Sequence, residues 1–214
     1  MSNERPILFS GPMVRAILDG RKTMTRRVHK VQPNDPPSTF SYKWDGEHWR
    51  GFIDAGKYAG WCDTPWMDCP YGEIGDRLWV RETFGMCAAH PDCDGVYFKA
   101  DTSDNEGAKV DKWRPSIFMP RWASRITLEI AGVKVERVQD INEEDAKAEG
   151  IAPWINAAGE ASRMAWRDYS MSEAVGHCCP RESFRTLWDS INAKRAPWAS
   201  NPWVWIIDFK RVPA

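Results

Sequence analysis

A chain of 214 residues with 43% hydrophobic and 28% charged residues has the make-up of a packed globule, which excludes a disordered or collagen-like chain. Its length suits one domain with sizeable insertions better than two full domains. A net charge of −1 excludes a protein coated in basic residues for bulk nucleic-acid binding, so any anionic partner must be held by a local patch.

Ile7 to Phe9 reads as a short strand, and Gly11-Pro12 opens a helix on whose one face Met13, Ile17 and Leu18 fall before Gly20 ends it. Lys22 to Val28 favours strand but begins directly after the helix stop, so its first residues are expected in a turn at an exposed rim. Gln32 to Cys69, rich in Pro, Gly, Asp and Trp without a lasting period, predicts an irregular insertion with short strands at most. After the Gly75-Asp76 turn, Arg77 to Phe84 alternates Leu78 and Val80 with Arg77, Trp79 and Arg81, the pattern of a half-buried strand. Val96 to Ala100 reads as another strand, and Arg125 to Ile130 with Val133 to Val138 as a hairpin turning at Gly132. Asn142 caps a helix whose first turn holds Glu143, Glu144 and Asp145 and which Gly150 stops. A second irregular insertion spans Ala152 to Cys179. Pro180 then opens a helix in which Phe184, Leu187, Trp188 and Ile191 keep the spacing of a core-facing stripe. Trp203 to Val212 is a closing strand, apolar on both faces at its start and therefore central.

Five or six strands interrupted by helices, without regular βαβ alternation, predict an α+β fold: a small mixed β-barrel with flanking helices, one domain over 1–214 with insertions at about 32–69 and 152–179. Ile126, Leu128, Val133, Val135, Val204 and Ile206 are expected in its core, packed by Leu187 and Ile191. No apolar run approaches the ~18 residues of a membrane span, and Glu4, Arg5 and Pro6 stand where a signal peptide would carry its apolar stretch. No membrane association is expected, and the cytoplasm is the expected compartment. The six cysteines are too sparse for a disulfide scaffold and are expected as thiols.

Charge is segregated along the chain. Gly20 to Pro33 carries Arg21, Lys22, Arg26, Arg27 and Lys30 without a carboxylate, whereas Asp140, Glu143, Glu144, Asp145 and Glu149 form an acidic stretch. Arg26, Arg27 and Lys30, with Arg81, Arg114, Arg121 and Arg125 on neighbouring rims, are expected to line a phosphate-tracking groove in which Trp113 or Trp122 stacks a base; the bland alternative is a solvated basic face. The thirteen tryptophans exceed what a core of this size needs. They either stack on bases or sugars or bury their rings at sheet edges and under loops.

The run Gly20-Arg21-Lys22-Thr23-Met24-Thr25-Arg26-Arg27, following an amphipathic helix, resembles the signature of the ASCH family, whose barrel is related to the PUA RNA-binding fold. Gly75 to Phe84 resembles that family's second strand, Asp140 to Gly150 its helix, and Asn201 to Val212 its last strand. The expanded, Trp-rich form resembles ASCH proteins of phages and prophages. In the branch that resembles N4-acetylcytidine amidohydrolases, a lysine and a threonine of the first motif and a glutamate of the later helix form the site. The matching positions are Lys22, Thr25 and Glu149. The resemblance implies that Lys22, its pKa lowered by burial, takes a proton from Thr25 or a water while Glu149 relays it to the leaving amine. The bland alternative has Lys22 and Thr25 capping the preceding helix and Glu149 solvated in a last turn. Those amidohydrolases are much shorter, and the two insertions either roof or block the cleft.

Cys87, His90 and Cys93, with Cys62 or Cys69 and with His177-Cys178-Cys179 as further donors, form a loose zinc-ligand pattern. Buried or half-buried thiols explain it more simply, so no metal and no cofactor are expected. Three functions compete: a hydrolase acting on an amide of a modified base, or less favoured on an RNA phosphodiester; a non-catalytic reader of RNA or a modified nucleotide; and a phage accessory protein whose Trp-rich insertions meet a protein partner. The acid-free basic stretch beside the candidate site favours the first two.

Overall fold

The computed structural model describes residues 3–32, 40–54, 56–62, 67–86, 95–101, 110, 112–155, 161–170 and 176–213. Over these residues the chain is a mixed α+β protein, mostly strand with few helices. The first strands are β1 (Glu4–Leu8), β2 (Met24–Val28), β3 (Phe40–Trp44), β4 (Trp49–Ile53), β5 (Gly60–Trp61), β6 (Arg77–Arg81), β7 (Phe84–Met86) and β8 (Val96–Phe98). They are followed by β9 (Thr127–Arg137), β10 (Pro153–Ile155), β11 (Ala161–Arg167), β12 (Gly176–His177) and β13 (Trp203–Val212). The α-helices are α1 (Gly11–Leu18), α2 (Glu143–Ala148) and α3 (Pro180–Asn192). None of the described helices is long and apolar enough to cross a membrane. The chain divides into two compact units: a first of Met1–Thr23, Tyr71–Ala131 and Phe209–Ala214, and a second of Met24–Pro70 and Gly132–Asp208.

In the first unit β1 runs parallel to β6, from Glu4 opposite Arg77 to Leu8 opposite Arg81, and β6 pairs antiparallel with the start of β9. Flanked on both sides, β6 buries Leu78, Trp79 and Val80 alike. The half-buried alternation expected there is thus corrected at Trp79, whose ring lies under the Arg81 guanidinium at 4.5 Å. Helix α1 starts with Pro12 in its first turn and buries Met13, Val14, Ala16 and Ile17. It stops where Gly20 takes φ of 74°, a left-handed conformation that glycine adopts at little cost. A satellite core of Phe84, Met119 and Ala123, flanked by Val96 and Phe98, lies beside the β7–β8 pair.

The expected hairpin at Gly132 is instead one continuous strand, β9. Gly132 is needed for closeness, not for a turn: a Cβ there would lie 2.8 Å from Asp208 Oδ2, so the residue makes room for a carboxylate.

In the second unit β2 pairs antiparallel with β13, Val28 opposite Val204 through Met24 opposite Asp208. Trp203 to Ile207 are all buried, as their apolar run on both faces requires. Both insertions are more regular than expected. Their described residues form antiparallel three-stranded sheets, β3-β4-β5 and β10-β11-β12. In β3-β4-β5 the cross-strand aromatic pairs Trp44–Trp49 and Phe52–Trp61 supply a regularity that no local period announces.

One face of the first inserted sheet is buried: Phe40 and Tyr42 meet Trp203 edge-on at 6.1 and 5.3 Å. His29, 2% exposed, stacks on Tyr42 at 4.7 Å and meets Trp205 at 5.0 Å. Asn142 caps α2 by accepting from the Asp145 amide at 2.8 Å, and α2 packs on α3. Phe184, Leu187 and Trp188 of α3 are buried, but Ile191 is 67% exposed. The stripe outlasts its cover, because the chain reverses and brings Ala196 and Trp198 over Trp188 and Phe184 only. Val133 is half-buried, whereas Ile126, Leu128, Val135, Val204 and Ile206 lie in the interior. Of the tryptophans, Trp79, Trp188, Trp203 and Trp205 are buried, and Trp44, Trp61 and Trp122 are exposed.

Candidate functional site

The acidic face of α2 and the basic start of β2 meet in the second unit. Asp145 and Glu149 are four residues apart, so one helix face carries both carboxylates. Arg26, whose side chain is 0% exposed, donates from Nη2 to Asp145 Oδ2 at 2.7 Å and from Nη1 to Glu149 Oε1 at 3.4 Å. Met24 Sδ lies 3.1 Å from Nη1, and the guanidinium stands 5.9 Å from the Phe184 ring. A charge this deep must be paired, and here the carboxylates of one helix do it. The expected role of Arg26 in a solvent-facing groove is therefore corrected: the side chain is buried and engaged internally. Glu149 is buried as well, at 4% exposure, and so is Thr25, which stands opposite Ile207 on β13. The alternative of a solvated Glu149 is overturned by that burial. Arg27 is half-buried on β2.

Asp208, which sequence reasoning missed, belongs to the same neighbourhood. Burial pushes its carboxyl above the ordinary range; Lys134 and Arg26 pull it down, and Asp145 and Glu136 push it up. The available signal was a single carboxylate within the apolar run Trp203 to Phe209.

Lys22 belongs to the first unit. The amides of Arg21 and Lys22 both donate to the Ala16 carbonyl at 2.9 Å, closing the end of α1. The Lys22 side chain does not reach into solvent: it is 4% exposed, with Nζ 5.6 Å from the centre of the Phe9 ring. Gly20, Arg21 and Thr23 are exposed, so the exposed rim expected for this segment is corrected at Lys22 alone, which the turn tucks against an aromatic ring.

The other basic residues of the first unit are largely occupied. Arg121 forks onto Glu4 at 2.9 and 3.2 Å, and that hydrogen bonding holds the Glu4 carboxyl below its usual value. Arg125 grips Glu82 at 2.9 and 3.1 Å and Asp101 at 2.5 and 2.9 Å, and sits 3.9 Å over Phe98. Glu82, 1% exposed, went unremarked in the sequence; burial pushes its carboxyl up and Arg125 pulls it back. Arg81 donates to the Ile117 carbonyl at 3.2 Å. Arg114 is exposed, its backbone paired with Phe84, and Trp113 is half-buried.

Cys87, His90 and Cys93 lie outside the described residues. Cys62, Cys69, Cys178 and Cys179 are thiols, not disulfides, and His177 Nε2 lies 3.1 Å from Asp168 Oδ2. Among the described residues no group of three or more His, Cys, Asp or Glu side chains is placed to hold a metal ion. Comparison with protein-family models, curated proteins and solved structures finds no match for the chain.

Proposed function

We propose that the chain is an ASCH-type protein with a PUA-like mixed barrel, which binds RNA or a modified nucleotide and hydrolyses an amide on the exocyclic nitrogen of a pyrimidine such as N4-acetylcytidine. The observation that carries this reading is the burial of Lys22, Thr25 and Glu149, each 4% exposed. Withdrawing an ammonium, a hydroxyl and a carboxylate from water is costly, and a mere helix end does not require it. The four segments of the resemblance also fall on regular positions: the α1–β2 turn, β6, α2 and β13.

In this reading the Thr25 hydroxyl oxygen attacks the amide carbonyl carbon. The C–N bond then breaks, and the departing amine takes the threonine proton relayed through Glu149. Water cleaves the resulting ester and releases acetate. Lys22 either accepts the hydroxyl proton or steadies the developing oxyanion. As a base it is inactive when protonated, so activity rises with pH; as an oxyanion donor it works while protonated, so activity persists at lower pH and fails when the ammonium is lost.

Acetate release from acetylcytidine, followed by mass spectrometry, tests the reading. Glu149→Ala and Lys22→Ala should each remain folded and lose about 10²–10⁴-fold in rate. Thr25→Ser should retain activity that Thr25→Val lacks. A wild-type protein that binds the nucleoside but releases no acetate at any pH is a reader, not a hydrolase.

A further inference from the structure

The inserted sheet β3-β4-β5 turns one face into the protein and the other toward solvent. Cross-strand partners share a face, so the pairings Ser41–Phe52, Lys43–Arg50 and Phe52–Trp61 place Ser41, Lys43, Arg50, Phe52 and Trp61 together. Tyr42 and Phe40 point the other way and are buried. On the outward face Lys43 is exposed, Trp61 is 46% exposed, and Arg50 and Phe52 are half-buried.

Cations lie over the rings: Lys43 Nζ is 3.9 Å from the Phe52 centroid, and the Arg50 guanidinium 5.7 Å from that of Trp61. Phe52 and Trp61 meet edge-on at 5.3 Å. In the single 3-10 turn joining β4 to β5, Tyr58 is 73% exposed with Lys57 Nζ 4.9 Å from its ring centre. No carboxylate occupies the five face positions. Asp45, in the hairpin turn, accepts from the amides of Glu47 and His48 at 2.9 and 2.7 Å and lies 3.6 Å from Arg50.

We propose that this face is a stacking platform for single-stranded nucleic acid. Aromatic faces take bases whatever their sequence, and interleaved cations take the phosphates. A lysine over a ring at the surface is weakly held, so a base displaces the ammonium from Phe52 and a phosphate receives it. A protein partner fits the composition less well, because lysine is depleted from protein–protein interfaces and each ring here carries its own cation. The chain's net charge of −1 makes such a local patch necessary for holding a polyanion. The proposal does not depend on the hydrolytic reading; it concerns other residues.

The test is fluorescence anisotropy of the full chain with fluorescein-labelled oligouridine RNA and oligothymidine DNA of about twelve nucleotides, within the usual site sizes of single-strand binders, at about 50 and about 200 mM salt. The wild type should bind, more weakly at the higher salt. Trp61→Ala should lose about 5- to 150-fold in affinity, and Trp61→Phe should keep most of it. Lys43→Gln should flatten the logarithmic salt dependence by about 0.7 for the lost phosphate contact; this exposed change carries the test if Trp61→Ala folds poorly. The variants read lie on β3 and β5 alone, so a failure of acetate release leaves this result untouched. The RNA and DNA arms show which strand is preferred, and binding of either supports the platform where Trp61→Ala or Lys43→Gln weakens it. Absence of binding at the lower salt, or wild-type behaviour of both Trp61→Ala and Lys43→Gln, overturns it.

Discussion

Each compact unit carries an arginine gripped by two carboxylates, and the two grips differ in depth and in tightness. Arg125, with 27% of its side chain exposed, is held by buried Glu82 and half-exposed Asp101 through four bonds of 2.5–3.1 Å. Arg26 is 0% exposed, yet only its bond to Asp145 is short; Glu149 is 3.4 Å away, and Nε finds no acceptor among the described residues. The shallow grip is a well-bonded clamp. The deep one keeps its charge buried with less hydrogen bonding to offset the desolvation, an arrangement that costs stability relative to apolar packing.

The largest expected effect tests that contrast. Arg26→Met leaves Asp145 and Glu149 without their shared cation and should lower the unfolding free energy by about 3–5 kcal/mol in denaturant titration. Combining Arg26→Met with Asp145→Leu and Glu149→Met, so that all three hydrogen-bonded groups become apolar, should return most of that loss. A triple variant as unstable as the single one would show that the network itself holds the unit together. Arg125→Met should cost less, about 2 kcal/mol, because water reaches Asp101 and only Glu82 is left buried. Equal losses at the two arginines would remove the distinction between the shallow grip and the deep one.

Acid provides a milder test confined to the second unit. Burial among Tyr42, Trp203 and Trp205 holds the His29 imidazole below its ordinary value of 6.5, and burial pushes the Tyr42 phenol up to about 12, so that ring stays neutral. Arg137, over Trp203 at 4.3 Å, is the nearby cation. Below pH 6.5 the unfolded chain binds a proton that folded His29 refuses. Its contribution to stability is therefore complete above that pH and is lost as pH falls toward the folded value. The slope from this one group cannot exceed ~1.4 kcal/mol per pH unit. Melting temperatures between about pH 7.5 and about pH 5, a range that brackets the histidine titration, should fall less in His29→Gln than in wild type; parallel curves would assign the acid sensitivity elsewhere.

Much of the local structure was legible in the sequence. Pro12 and Gly20 bounded α1, Asn142 and Gly150 bounded α2, and the apolar start of β13 announced a central strand, because each signal acts on its own backbone. What escaped reading depends on distant partners. Gly132 looked like a turn because its reason for being glycine is Asp208, far along the chain. Arg26 looked like a groove residue because the carboxylates that bury it lie on α2. The first inserted sheet looked irregular because aromatic pairs across strands, such as Phe52 with Trp61, leave no local period. Lys22, Thr25 and Glu149 were singled out through resemblance alone, and their burial shows only in the structure.

Ile191 carries the smallest expected effect and marks the limit of periodicity as evidence. It sits seven residues after Phe184, on the same stripe of α3, and by spacing alone it should cost as much as Leu187 to truncate. The reversal after Asn192 instead covers Trp188 and Phe184 and leaves Ile191 67% exposed. Removing a side chain that already meets water forfeits little transfer free energy and opens no cavity. Ile191→Ala should therefore stay within about 0.5 kcal/mol of wild type, whereas Leu187→Ala, from a site 9% exposed, should cost about 2–5 kcal/mol. Both values come from the same denaturant titration. A loss at Ile191 approaching that at Leu187 would mean that α3 is covered along its whole length in solution, and the comparison between a stripe and its cover would have to be redrawn.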